Sequence, residues 1–160
     1  MTPFWPASRR GSWRPVAGSS VPVVKALIIT TLQARPGLAG VKVTYAQTGE
    51  RAGTQVIFLG QVRGHDEYAA MAPGRKRRNE TYSIDLFVQV NLPGKNIQQN
   101  EAQAFVLMKE VEDMLADDPR LGSSVLDSAG IGDWELDSGL GDKGAAVQIR
   151  MQIDCSAQLA

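Results

Sequence analysis

The chain has 160 residues, with 17 Lys and Arg against 17 Asp and Glu, one His and one Cys. That length suits one domain, two small ones at most, and a 43% hydrophobic, 21% charged composition is that of a globular protein with a core of its own. A lone Cys excludes a disulfide framework within the chain and, with a lone His, a structural zinc site; no metal and no other cofactor is expected.

The zero net charge hides a division. Residues 1–100 carry 13 basic and 5 acidic side chains, a balance of +8, and residues 101–160 carry 4 and 12, a balance of −8. An asymmetry of this kind points to partners more than to folding, although two solvated faces of one domain would give the same count.

Residues 1–20 hold three Pro, two Trp and three Arg and no acidic residue. They follow neither a strand nor a helix period, and the segment is expected to be an extended arm outside a domain of residues 21–160. Its Arg9-Arg10 pair resembles an export signal, but Pro15, Gly18 and Lys25 interrupt the apolar stretch that should follow, so the cell interior is the expected compartment. Phe4, Trp5 and Trp13 are the candidate anchors of the arm, since aromatic and Arg side chains dominate interface energetics, and a neighbouring subunit is the expected partner.

A first helix is expected from Ser20, an N-cap residue with Pro22 in the first turn, to Arg35-Pro36-Gly37, with Val24, Leu27, Ile28, Thr31 and Leu32 at helical spacing. Val41–Ala46 reads as a strand with Val41, Val43 and Tyr45 on one face, and Thr54–Val62 as another. The second contains VIFL, apolar on both faces and therefore expected near the centre of a sheet. Gly64–Asn79 reads as a long loop holding His65-Asp66-Glu67 and the basic run Arg75-Lys76-Arg77-Arg78. Glu80–Leu92 alternates as a strand and Pro93-Gly94 stops it.

The second helix, Ile97–Ala116, places Ala104, Phe105, Met108, Val111 and Leu115 on a core stripe. Two strands follow, one within Ser124–Asp137 and one over Ala145–Cys155 with strict alternation, which makes Cys155 a buried small hydrophobe. The order α-β-β-β-α-β-β describes an α+β fold, a mixed or antiparallel sheet of about five strands flanked by two helices.

Nothing in this pattern assembles a catalytic constellation. Cys155 and His65 fall on distant elements, His65-Asp66-Glu67 reads as a solvated turn, and Gly139–Gly144 reads as a hairpin tip and not a phosphate loop. Asp133, Glu135 and Asp137 alternate and form an acidic ridge on one strand face. A non-enzyme is expected. The run Arg75-Lys76-Arg77-Arg78 is suited to phosphates, to the acidic half of a neighbouring copy, or simply to solvent, and complementarity favours the copy.

The segments VVKALIITTLQARPGLAGVKVTYA, TQVIFLGQV, RKRRNETYSIDLFVQV, EAQAFVLMKEVEDMLADDPRLG and VQIRMQID, within residues 23–154, resemble the tail terminator, or tail completion, proteins of long-tailed non-contractile bacteriophages, particularly those of actinobacteria. The arginine-rich loop leading into an E-T-Y strand and the A-F-x-L-x-x-E-V-E helix ending D-P-x-L-G carry most of the likeness. The resemblance implies an α+β structural protein without catalytic residues, acting as a homo-hexameric ring at the tail–neck junction of the virion and assembled in the host cytoplasm. Such a ring caps the tail tube, halts its polymerisation, receives the head-side connector and lets DNA pass through its lumen. Its partners would be the major tail tube protein on one side and a head-completion or stopper protein on the other, with no membrane involved. A domain of about 140 residues approximates a sphere ~37 Å across, and six in a ring leave a hole of about 37 Å, wide enough for a duplex of roughly 20 Å. The other readings are a head-completion or neck connector protein and a nucleic-acid-binding module.

Overall fold

The computed structural model describes residues 18–47, 54–68, 78–141 and 144–159. The chain runs α1 (Val21–Gln33), a 3-10 turn (Pro36–Leu38), β1 (Lys42–Thr44), β2 (Thr54–Tyr68), β3 (Arg78–Asn91), α2 (Ile97–Asp117), β4 (Leu126–Gly141) and β5 (Gly144–Leu159). This is the α+β order expected from the sequence. The sheet is mixed, in the order β1-β2-β3-β5-β4, with β1 parallel to β2 and every other pair antiparallel.

The two-residue period of β3 and β5 builds the core. Tyr82, Ile84, Leu86, Val88 and Val90 of β3 lie beside Cys155, Ile153, Met151, Ile149 and Val147 of β5, and all ten are buried on one face. Against that face α2 lays Ala104, Leu107, Met108, Val111, Met114 and Leu115, and α1 adds Val24, Ile28, Ile29 and Leu32. α2 crosses β3, β5 and β4, whereas α1 lies at the β1 side. Both helices therefore cover one face, and the other carries polar residues such as Ser83, Gln89, Gln148 and Arg150.

Several boundaries differ from the sequence reading. β2 does not end at Val62 but continues through His65-Asp66-Glu67 to Tyr68, and β3 begins at Arg78. These residues are exposed and held as a strand by pairing alone; His65 opposes Thr81 and Asp66 opposes Glu80. β4 and β5 likewise run further than expected, up to Gly141 and from Gly144. The VIFL run is buried throughout, but β3 takes the middle of the sheet. Ile57 and Leu59 join the helix-covered core; Val56 and Phe58 lie on the opposite face, where Phe58 stacks on Phe87 at 5.1 Å between ring centroids.

Phe105 is not in the core. It stands on the flank of α2, 37% exposed, one residue from the buried Ala104. Asn100 takes the place a sequence stripe would give to an apolar residue: it is fully buried, accepts from Leu92 N–H (3.1 Å) and donates to the Ala145 carbonyl (3.0 Å). The start of α2 is closed by a reciprocal capping box between Asn96 and Gln99 (2.8 and 2.9 Å), which satisfies two otherwise orphaned N–H groups.

Candidate assembly surfaces

Three surfaces carry the polar and aromatic groups that the core does not use. The first joins the start of α1 to the start of β3. Ser20 occupies the N-cap position, as its sequence context suggests, but its side chain does not cap the helix. Its backbone N–H (2.9 Å) and hydroxyl (2.7 Å) both donate to Glu80 Oε1, and the hydroxyl lies 2.8 Å from Tyr82 Oη. Ser19 Oγ accepts from Val21 N–H instead. Burial holds the Tyr82 phenol neutral well beyond its ordinary range, against the opposing effect of the Ser20 hydrogen bond. Arg78 adds a further tie, donating through Nη2 to the Gly18 carbonyl and facing Asp66 at 3.7 Å.

That placement separates the members of the basic run. Arg78 is held at the root of β3 and fastens Gly18, whereas Arg75, Lys76 and Arg77 lie outside the described residues, as do Phe4, Trp5 and Trp13 and the rest of the arm up to residue 17.

The second surface is the β4 edge. Glu135 and Asp137 lie opposite Arg150 and Gln148 of β5, which places them on the helix-free face. Glu135 meets Arg150 at 3.4 Å, so the ridge is partly neutralised within the sheet. Asp133 adjoins them at the bulge between Ile131 and Trp134, and all three acidic side chains are exposed. β4 carries Asp127, Asp133, Glu135 and Asp137 and no basic residue. On its helix-covered side Trp134, 51% exposed, meets the edge of Phe105 at 5.6 Å, and Ser138 donates to Glu101. The Trp134–Phe105 pair was missed in the sequence, although a Trp set among alternating acidic residues at core parity was a signal for it.

The third surface is the opposite edge of the sheet, built from α1, the 3-10 turn and β1. Residues 18–47 contain Lys25, Arg35 and Lys42 and no acidic residue. Lys25 Nζ sits 4.2 Å above the ring of Tyr45, which is 44% exposed. Arg35 turns inward to Glu110 (2.9 Å) and Asp117 (3.7 Å), and the Glu110 hydrogen bond raises its already high pKa. The sheet order thus sets Lys25 and Lys42 at the β1 edge, where Arg35 is matched by Glu110 and Asp117, and four acidic residues at the β4 edge.

The residues weighed for catalysis are not brought together. Cys155 Sγ faces the core, where burial, reinforced by the Asp154 charge, pushes its thiol up to about 12. His65 is exposed on the other face, 3.4 Å from Glu67. A shallow concavity of about 570 Å³ on the helix-free face is lined by Arg63, His65, Ser83, Ser128, Asp154 and Ser156, with Ser83 donating to Asp154 at 2.6 Å. Among the described residues no group of three or more His, Cys, Asp or Glu side chains is arranged to hold a metal ion, and no helix is long and apolar enough to cross a membrane.

No protein-family model matches the chain, and no curated protein matches it either. Among solved structures, the fold is similar to a chain described as the virion of a native gene transfer agent (GTA) particle. The similarity covers 89% of this chain and 99% of that one at 14% sequence identity, with a TM-score of 0.60.

Proposed function

We propose that the protein is a non-enzymatic virion component, a tail terminator that closes into a homo-hexameric ring on the tail tube. The ring ends tube polymerisation, presents a docking surface to the head-side connector and passes DNA through its lumen. The observation that carries this reading is the fold similarity to a chain of a gene transfer agent virion across nearly the whole of that chain. The sequence resemblance to tail terminators supplies the finer position at the tail–neck junction, with the tail tube protein on one side and the connector on the other. Assembly takes place in the host cytoplasm.

In this reading the helices face outward and the polar, helix-free face lines the lumen. The ridge Asp133, Glu135 and Asp137 then repels the DNA backbone and keeps it from adhering during passage. Phe4, Trp5 and Trp13 of the arm, with Arg75, Lys76 and Arg77, dock on a neighbouring copy or an adjoining neck component. Arg78 belongs to the same interface only through the Gly18 tie that it makes.

The test is to deplete the protein during particle assembly and to image the products. The expected result is headless tails of uncontrolled length, restored by the wild-type chain and not by a variant carrying Arg75→Glu, Lys76→Glu and Arg77→Glu. Tails of normal length already joined to heads in the depleted assembly would reject the terminator role. Capsids that leak DNA beside normal tails would assign the protein to head completion instead.

A further inference from the structure

The two lateral edges of the sheet match each other on both faces. On the helix-free side, β4 presents Asp137, with Asp133 exposed at the adjoining bulge, and β1 presents Lys42, which pairs with Val56 and so shares that face. On the helix-covered side, β4 presents Trp134 with Phe105, and the β1 edge presents Tyr45 with Lys25 above its ring. Three of the four exposed large hydrophobic side chains among the described residues are these edge aromatics. Scattered apolar exposure is ordinary, but aromatic groups at both ends of one sheet, set beside charges of opposite sign, describe two halves of one contact.

We propose that copies of this chain join head to tail through these edges, the β4 edge of one copy against the α1–β1 edge of the next. The occupant of each edge is therefore a second copy. The contact sets Asp133 and Asp137 against the single Lys42 at the lumen side, which leaves the ridge a net negative charge toward the DNA, and Trp134 and Phe105 against Tyr45 and Lys25 on the other face. Such an interface is heterologous, because the two patches differ, and a heterologous contact generates a ring when its rotation closes. Aromatic side chains supply the buried area, and the Lys25 ammonium gains the face of an indole. The bulge between Ile131 and Trp134 interrupts the β4 backbone, so side chains and not an unbroken ladder specify the partner. Four acidic residues on an edge strand also discourage pairing with an arbitrary strand while favouring a basic one. The inference rests on the ring reading above and names the surfaces that close it.

The experiment uses three variants of the full chain, each first compared with wild type by thermal unfolding. Trp134→Ala tests the aromatic half, and self-association measured by native mass spectrometry and light scattering should weaken about 30-fold, as for loss of an interface hot spot. The second variant, Lys25→Glu with Lys42→Glu, makes both edges acidic; the third, Asp133→Lys with Asp137→Lys, makes both basic. Each alone should stay monomeric at concentrations where wild type assembles. Mixed in equal amounts they should assemble again, because every contact in an alternating ring then joins an acidic edge to a basic one. Charge variants that assemble like wild type, or a mixture that remains monomeric, would overturn the proposal and leave the ring reading standing. Wild-type chain that stays monomeric both alone and with tail tubes would overturn both.

Discussion

Ser20 and Glu80, sixty residues apart, share a single carboxylate oxygen: Glu80 Oε1 accepts the Ser20 N–H at 2.9 Å and its hydroxyl at 2.7 Å. Both residues are buried, so the pair links the first helix to the central strand where water cannot substitute. Ser20→Ala removes one donor to Glu80 and the partner of Tyr82 Oη, and should cost about 1–3 kcal/mol. Glu80→Ala, which also strands the Ser20 N–H, should cost more, and Glu80→Gln less. Urea unfolding, read as a shift in midpoint at constant slope, ranks the three.

Asn100 is the second polar tie and joins three elements. Its side chain serves Leu92 N–H at the end of β3 and the Ala145 carbonyl at the start of β5, from a fully buried position on α2. Asn100→Leu is close in size but leaves two buried backbone groups unpaired, and should destabilise by about 2–4 kcal/mol. Asn100→Asp retains the acceptor and brings a carboxylate against a carbonyl, so its deficit should shrink as the pH falls and the carboxyl is protonated. Thermal unfolding at pH 4 and pH 7 separates these outcomes.

Cys155 should resist thiol reagents in the folded chain at pH 8 and react on unfolding, since its thiol is buried and pushed up to about 12. The same shift has a stability consequence. The unfolded chain releases this proton near the ordinary cysteine value of about 8.5, the folded chain only near 12, so the contribution is whole below about pH 8.5 and is lost as pH rises through that interval. Tyr82, held neutral by burial, acts in the same direction at higher pH. Cys155→Ala should flatten the alkaline decline in stability by up to about 1.4 kcal/mol per pH unit. Urea titrations from pH 8 to pH 11 measure that slope.

Gly60 sits in the irregularity between Leu59 and Val62, beside the Asp85 side chain. A Cβ there would come within 2.5 Å of the Phe87 ring, which is stacked on Phe58. Gly60→Ala should therefore displace the aromatic pair and cost about 1–3 kcal/mol as overpacking. Gly60→Ala combined with Phe87→Leu should recover part of the loss, a coupling that a double-mutant cycle reads directly.

The elements legible in the sequence were those whose packing writes a period. Val147 to Cys155 alternates because one face of β5 packs against α2 and the other meets no helix, and burial of one face likewise gave α1 its period from Val24 to Leu32. His65-Asp66-Glu67 escaped that reading because the three side chains stay exposed, and pairing with Thr81, Glu80 and Asn79 holds this part of β2 as a strand without their burial. Phe105 was misread for a related reason: a helix stripe tells which residues lean toward the core, not where the sheet beneath it ends. The acidic ridge was visible as alternation, but its counterion Arg150 lies on another strand and only the register reveals it. The parallel pairing of β1 with β2 left no local trace, since three residues are too few to carry a pattern.

The one-sided covering of the sheet implies a rhythm in how the protein tolerates change. Along β3 and β5, substitutions at Ile84, Leu86 and Val88, or at Ile149, Met151 and Ile153, strike the packed interior, whereas their immediate neighbours Ser83, Gln89, Gln148 and Gln152 answer to no helix. A saturation scan scored for folding alone should rise and fall at every second residue of these strands, except at Asp85 and Phe87 of β3, which are packed on the uncovered face. Scored for assembly, the silent positions would become the informative ones, and the difference between the two scans would map the work of the uncovered face without any partner having been identified.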